Sequence, residues 1–292
     1  MRTTDLPLVV GVDGSVPSLR AVDWAADEAA LRGAPLRLVY ASLWEPYDLP
    51  LLARDLGRPS GQECAQRLVD AAGRRACARR PGLSVTAEAP AEEPEYFLVQ
   101  AARTAAAVVV GGPGHGGITG LLPGSVALFV AAHAPCPVIV LPGPHDGGGL
   151  PPAPHARIAV GVADASGSAV RFAAAEARLR GVPLVAVRAW RGGPHETPGR
   201  PPGTGEPERS HEERAAAALE AALRDVPPEV KTEPRTVRGP ARRALLAVAE
   251  TSDLLVVGAR RPTGHVGPRL GRVTHAVLHH AACPVAVVPE PS

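Results

Sequence analysis

The chain has 292 residues, 45% of them hydrophobic and 21% charged, and its 31 Lys and Arg against 29 Asp and Glu leave a net charge of +2. That length and mix fit two ordinary globular domains and exclude a disordered chain. Near-neutral charge argues against nucleic acid or an anionic membrane as partner. No apolar run nears the roughly 18 residues of a membrane span and the N-terminus has no signal-peptide core, so a cytoplasmic protein is expected.

Leu8–Val12 reads as a buried parallel strand. The loop Asp13–Ser18 follows, and then an Ala-rich helix over Leu19–Leu31 that Arg32-Gly33 brings to a close. Leu36–Ala41 is the second strand, and residues 42–60, with Pro46, Pro50 and Pro59, read as irregular. Gln62–Arg80 is the second helix, Leu83–Ala89 the third strand and Glu93–Thr104 the third helix. The apolar run Ala105–Val110 is a fourth strand that ends abruptly in glycines. Ser125–His133 follows as a fourth helix and Pro137–Leu141 as a fifth strand. Strands alternating with helices argue for a parallel sheet with helices on both faces.

Residues 144–156 are rich in Gly and Pro and read as a linker between a first domain over residues 1–143 and a second over 157–292. Beyond it the pattern repeats. Arg157–Val162 matches Leu8–Val12, EARLRGVPLVAV at Glu176–Val187 matches EAALRGAPLRLV at Glu28–Val39, and Cys283–Val288 matches Cys136–Leu141. Internal duplication of one domain is the plain reading. The Pro/Gly-rich stretch 191–210 is expected to be a mobile loop.

The glycines after the fourth strand carry the chemistry. Gly111, Gly112, Gly114, Gly116 and Gly117, with Pro113 and His115 among them, let the backbone turn tightly and approach a ligand closely. Gly124, Ser125 and Val126 then open a helix, which brings free N–H groups, a hydroxyl and the positive end of a dipole to one spot suited to phosphate. The spacing is G-x2-G-x9-G-S, and GVDGS at Gly11–Ser15 follows the first strand. Together these resemble the nucleotide-binding motif of the universal stress protein family, in its ATP-binding branch.

The resemblance covers nearly the whole chain, in two copies. It implies two tandem open-twisted five-stranded parallel sheets of order 3-2-1-4-5 with helices on both faces, an α/β fold. In such a sheet the ligand crevice lies where the order reverses, outside the ends of strands 1 and 4. Gly11, Val12, Asp13 and Gly14 would then meet the Gly111–Ser125 loop, with Ala41 flanking the base. The implied ligand is one adenine nucleotide, ATP with or without Mg²⁺. Asp13 is suited to a ribose hydroxyl, an adenine amine or a metal, and His115 to a phosphate. Single domains of the family pair through the fifth strand, so the two repeats are expected to pair within the chain; a homodimer of the whole chain is open, and no protein partner is readable.

The second copy of the motif is damaged. Gly258 and Gly271 are kept, but Arg261 stands where Gly114 stands, Arg272 where Ser125 stands, and GVDGS has become GVADAS. Arginine fills the room phosphates need, and at a helix start it opposes the dipole by roughly 0.3–1 kcal/mol. The second pocket is expected to bind no ATP, or another anion through Arg261 and Arg272.

Three function classes compete. A dinucleotide oxidoreductase fits poorly: GPGHGG at 112–117 matches GxGxxG but follows the fourth strand, and no acidic residue lies between Glu95 and Asp146. An ATP-using enzyme lacks GxxxxGK[ST], and Asp13 is the one obvious carboxylate near the pocket, so slow hydrolysis or phosphoryl transfer is the alternative rather than the first reading. The favoured reading is a non-enzymatic, nucleotide-binding regulatory protein of the stress response. Cys64, Cys77, Cys136 and Cys283 have no metal spacing, and Cys136 and Cys283, each before Pro and a Val-rich strand, are expected to be buried. His275 and His279 stand four apart on the last helix without a third ligand nearby, so no metal site is expected.

Overall fold

The computed structural model describes residues 6–42, 61–112, 125–143, 156–163, 167–191, 208–260 and 270–291. The chain divides into two compact units, Met1–Gly148 and Gly149–Ser292.

In the first unit the strands are β1 (Leu8–Gly11), β2 (Leu36–Val39), β3 (Val85–Glu88), β4 (Ala107–Gly111) and β5 (Val138–Leu141). The helices are α1 (Val16–Arg32), α2 (Gly61–Arg79), α3 (Pro94–Ala101) and α4 (Ser125–His133). All strand pairs are parallel, in the order β3-β2-β1-β4-β5. β1, β4 and β5 are near-continuous Val, Leu and Ile, as strands covered on both faces must be. Helix α1 packs on α2 and α3 on α4, which puts one pair on each face of the sheet.

The second unit repeats this with β6 (Ile158–Gly161), α5 (Gly167–Arg180), β7 (Leu184–Trp190), α6 (Glu208–Leu223), β8 (Thr232–Arg238), α7 (Ala241–Ala249), β9 (Leu254–Arg260), α8 (Arg272–His280) and β10 (Val285–Glu290). Its parallel order is β8-β7-β6-β9-β10, the same 3-2-1-4-5 pattern.

The EAALRG and EARLRG segments show why the repeat survives at this point. In α1, Glu28 is 3% exposed and accepts from Arg32 Nε at 2.6 Å, while Gly33 takes φ +64° and its N–H caps Ala29 and Ala30. In α5, Glu176 is 2% exposed and pairs with Arg180, and Gly181 takes φ +66°. A buried carboxylate needs its cation, and a left-handed cap needs glycine.

Several boundaries differ from the sequence reading. Helix α1 begins at Val16, not Leu19, because Ser15 caps it by accepting from Ser18 N and Pro17 sits in its first turn, where its missing N–H costs nothing. β2 ends at Val39, so Ala41 lies beyond it. The third helix closes in a 3-10 turn over Ala102–Thr104. α6 begins at Glu208, inside the stretch read as loop. Residues 43–60 and 192–207 lie outside the described residues.

Candidate functional site

β1 and β4 are neighbours, in register from Leu8↔Ala107 to Val10↔Val109, so their C-terminal ends stand side by side at the point where strand order reverses. Gly11 ends one strand and Gly111 the other. The two motif segments a hundred residues apart therefore share one edge of the sheet.

The first segment is a tight, ordered turn. Val12 is buried and its N–H goes to Val39 O at 2.8 Å. Asp13 is exposed, and its Oδ1 accepts from Ser15 N at 2.9 Å, an Asx turn that holds the carboxylate at the mouth of the turn. Gly14 takes φ +79°, where a side chain is strained, and a Cβ there would also meet Leu68 Cδ1 at 2.9 Å. Ser18, 3% exposed, binds the turn from below: its Oγ donates to Ser15 O at 2.9 Å and accepts from Asp13 N at 3.4 Å. Sequence reasoning missed Pro17, Ser18 and Leu68 as supports; the Ser15-x-x-Ser18 pattern is the signal that could have found the serines.

At the second segment the structure adds a packing reason for two of the glycines. A Cβ on Gly111 would come within 2.8 Å of Pro17 C and Ser18 N, the backbone of the first turn of α1. A Cβ on Gly112 would stand 2.3 Å from Leu141 O, to which the Gly112 N–H donates at 2.7 Å. Both glycines let protein backbones approach each other. The amide of Gly112 is spent on β5 and is not a free donor for phosphate. Gly11 likewise packs against Leu98 of α3, whose Cδ1 a Cβ would meet at 3.0 Å.

Ser125 and Val126 are the first two described residues of α4 and are half-buried. Ala41 is half-buried just past β2. Pro113, Gly114, His115, Gly116, Gly117 and Gly124 lie outside the described residues.

The second unit keeps the scaffold and changes the edge. Gly161 meets Leu245 as Gly11 meets Leu98, with a would-be Cβ 3.0 Å from a leucine methyl in each. Gly258, however, faces a side chain where Gly111 faces helix backbone. The carboxylate of Glu290, 4% exposed, lies against Gly258 and accepts from Ser168 N and Ala169 N, both at 2.9 Å. A side chain from the end of β10 thus satisfies donors that open α5. Arg272 is the first residue of α8, behind Gly271 at the N-cap, and is exposed; Asp164 and Arg261 lie outside the described residues. A groove of about 280 Å³ runs between α5 and the end of α6, past Arg171, Arg178 and Asp225, and no residue of the glycine motif lines it.

Both cysteines that precede the fifth strands are buried, and burial pushes the Cys136 and Cys283 thiols up to about 12. They are inert as nucleophiles at neutral pH. His133 packs flat on Phe129, with ring centroids 3.9 Å apart, and its Nδ1 is 2.8 Å from Phe129 O, a structural role within α4. Among the described residues no helix is long and apolar enough to cross a membrane.

The sequence profile described as the universal stress protein family matches residues 7–142 and again residues 155–289. Universal stress protein Rv2005c of Mycobacterium tuberculosis is 33% identical over 288 residues, which is 96% of this chain and 96% of that one. Universal stress protein Rv2623 of the same organism is 34% identical over 301 residues, covering 98% and 97% of the two chains. A crystal structure of a universal stress protein from Archaeoglobus fulgidus covers 97% of this chain and 98% of its own at a TM-score of 0.68. Its 16% identity makes that a likeness of fold.

Proposed function

Because the chain belongs to the universal stress protein family, we propose that its first unit is a regulatory module binding one adenine nucleotide, ATP first, at the C-terminal ends of β1 and β4. The observation that supports this most is the Asx turn at Asp13–Ser15 standing on the strand next to Gly111–Gly112. An exposed carboxylate held by its own backbone is ready for a ribose hydroxyl, an adenine amine or an ATP-bound Mg²⁺. The phosphates fall to the loop that follows Gly112 and to the first turn of α4, since the Val12 and Gly112 amides are engaged elsewhere.

The module acts by linkage. Nucleotide stabilises the conformation that contacts it and shifts what the surface offers a partner. Efficient turnover is not expected of it, because the sequence has no GxxxxGK[ST] to supply a phosphate-binding lysine. The second unit takes no ATP, with Arg272 at the head of α8 opposing the dipole and Arg261 in place of a loop glycine.

The experiment is to purify the full chain, denature it and count the nucleotide released, then to titrate stripped protein with a fluorescent ATP analogue. One equivalent per chain is expected, and Gly114→Arg, which copies the second repeat, abolishes it while the circular dichroism stays unchanged. Two equivalents, none at millimolar ligand, or an unaltered affinity in the variant would overturn the reading. So would steady-state hydrolysis near ~1 s⁻¹, the low end for ordinary enzymes.

A further inference from the structure

The geometry points to a second site, in the other unit and of different chemistry: His275 and His279 of α8 chelate a divalent transition metal ion, copper(II) before nickel or zinc. The two residues are one helical turn apart, so they share a face. Both are exposed, and their ring centroids lie 4.6 Å apart with planes inclined at 44°. A metal–nitrogen bond of about 2.0–2.1 Å puts each ring centre roughly 3.2 Å from the ion. Two such rings, at a metal angle between square-planar and tetrahedral, have centroids roughly 4.5–5.2 Å apart. The centroid separation of the pair falls inside that window. His280 does not: its ring is 6.3 Å from that of His279, and as the next residue in the helix it projects to a different side.

The surroundings of the pair are cationic. Arg272 is exposed one turn before His275, and α7, packed on α8, carries exposed Arg242 and Arg243. This cationic setting disfavours a hard, weakly held dication such as Mg²⁺ and leaves the ions that imidazole binds most strongly. Among the described residues no three His, Cys, Asp or Glu side chains converge on one point. The described residues therefore supply two ligands, and water can take remaining positions, which leaves the metal exchangeable. The HxxxH spacing alone pointed to no metal for want of a third ligand; the ring separation is what changes the conclusion.

The test uses the full chain stripped with chelator and titrated with copper(II), nickel(II) and zinc(II) chloride at about pH 7.5, where free imidazole is mostly neutral, by calorimetry. The chain has 10 histidines, so the readout is the difference from wild type. His275→Ala with His279→Ala removes one copper equivalent, each single variant weakens that equivalent at least about tenfold because the second ligand no longer acts at high effective concentration, and His280→Ala leaves it in place. An unchanged copper stoichiometry and affinity in the double variant, or an equal loss in His280→Ala, would overturn the assignment. Electron paramagnetic resonance of the wild type with one copper equivalent decides independently of any variant's folding: two equatorial nitrogens support the site, and one or none refutes it.

Discussion

Glu290 sits over Gly258: its Oε1 lies 2.9 Å from where a Cβ on that glycine would stand. In the first unit the matching Gly111 is covered by the backbone of Pro17 and Ser18 instead. One repeat fills the space above its fourth strand with the backbone of the first turn of α1. In the other, a carboxylate from the last strand lies over the glycine and accepts from the Ser168 and Ala169 amides of α5. The two units share a fold and differ in what closes the same edge.

Removing the carboxylate should uncap α5. Glu290→Ala leaves the Ser168 and Ala169 amides without this partner in a buried setting, at a cost of roughly 1–3 kcal/mol. Glu290→Gln keeps an acceptor oxygen and loses the charge, so its cost is smaller. Urea unfolding followed by a probe in the second unit checks both. Equal stability of wild type and Glu290→Ala would mean that water caps the helix as well as the carboxylate does.

Gly111→Ala should weaken the first unit whether or not nucleotide is present. Its methyl would strike backbone at 2.8 Å, and backbone cannot swing aside as a side chain can. Overpacking of this kind costs roughly 1–3 kcal/mol. Thermal unfolding of the stripped variant is the measurement. Lost ATP binding in Gly111→Ala would therefore say little about ligand contact, which is why Gly114→Arg is the variant for the binding question.

The strands were legible because a strand buried on both faces leaves an unbroken apolar run: Leu8–Gly11, Ala107–Gly111 and Val138–Leu141 stand where the sequence puts them. Gly33 was legible as a helix end because few other residues adopt its left-handed conformation cheaply. The order 3-2-1-4-5 followed from the family resemblance rather than from any residue, and both units have it. The start of α1 was not legible, because Ser, Pro and Gly favour loops and helix starts alike; only the Ser15 to Ser18 bond decides. The reason for Gly111 and Gly112 was hidden too. What crowds them is Pro17, Ser18 and Leu141, which the fold brings in from elsewhere in the chain. Glu290 gave no local sign of its role, since its partners are more than a hundred residues away.

Alkaline pH should unfold the chain through two thiols. Cys136 and Cys283 have pKa values pushed up to about 12 by burial. In the unfolded chain a thiol loses its proton near pH 8.5 or so. Between those values the folded protein holds protons that the unfolded chain has released, so stability is full below about pH 8.5 and falls as pH rises. The slope is about 1.4 kcal/mol per pH unit for each thiol. Denaturant midpoints measured from about pH 8 to about pH 11, inside that window, check it, and Cys136→Ala with Cys283→Ala should flatten the profile. A double variant as alkali-sensitive as wild type would trace the effect to other groups.

Burial, more than the number of bonds, should rank the ion pairs of α1. On its exposed side Arg75 binds both oxygens of Asp23, and Arg79 and Arg80 both bind Asp27, five hydrogen bonds of 2.6–2.9 Å between α1 and the end of α2. Each of these arginines is about half exposed, so water competes and each pair contributes no more than about 1 kcal/mol. Glu28, by contrast, meets Arg32 in a setting that is almost wholly enclosed. Arg32→Ala takes a cation from a carboxylate that cannot rehydrate, and should cost roughly 1–3 kcal/mol, more than Asp23→Ala. Replacing both partners, Glu28→Leu with Arg32→Leu, removes the charge together with its need and should recover most of that loss. Chemical denaturation of the wild type and these three variants at one pH gives the order. If Asp23→Ala proves the more damaging, the helix pair is held by its surface ladder and the enclosed carboxylate contributes little.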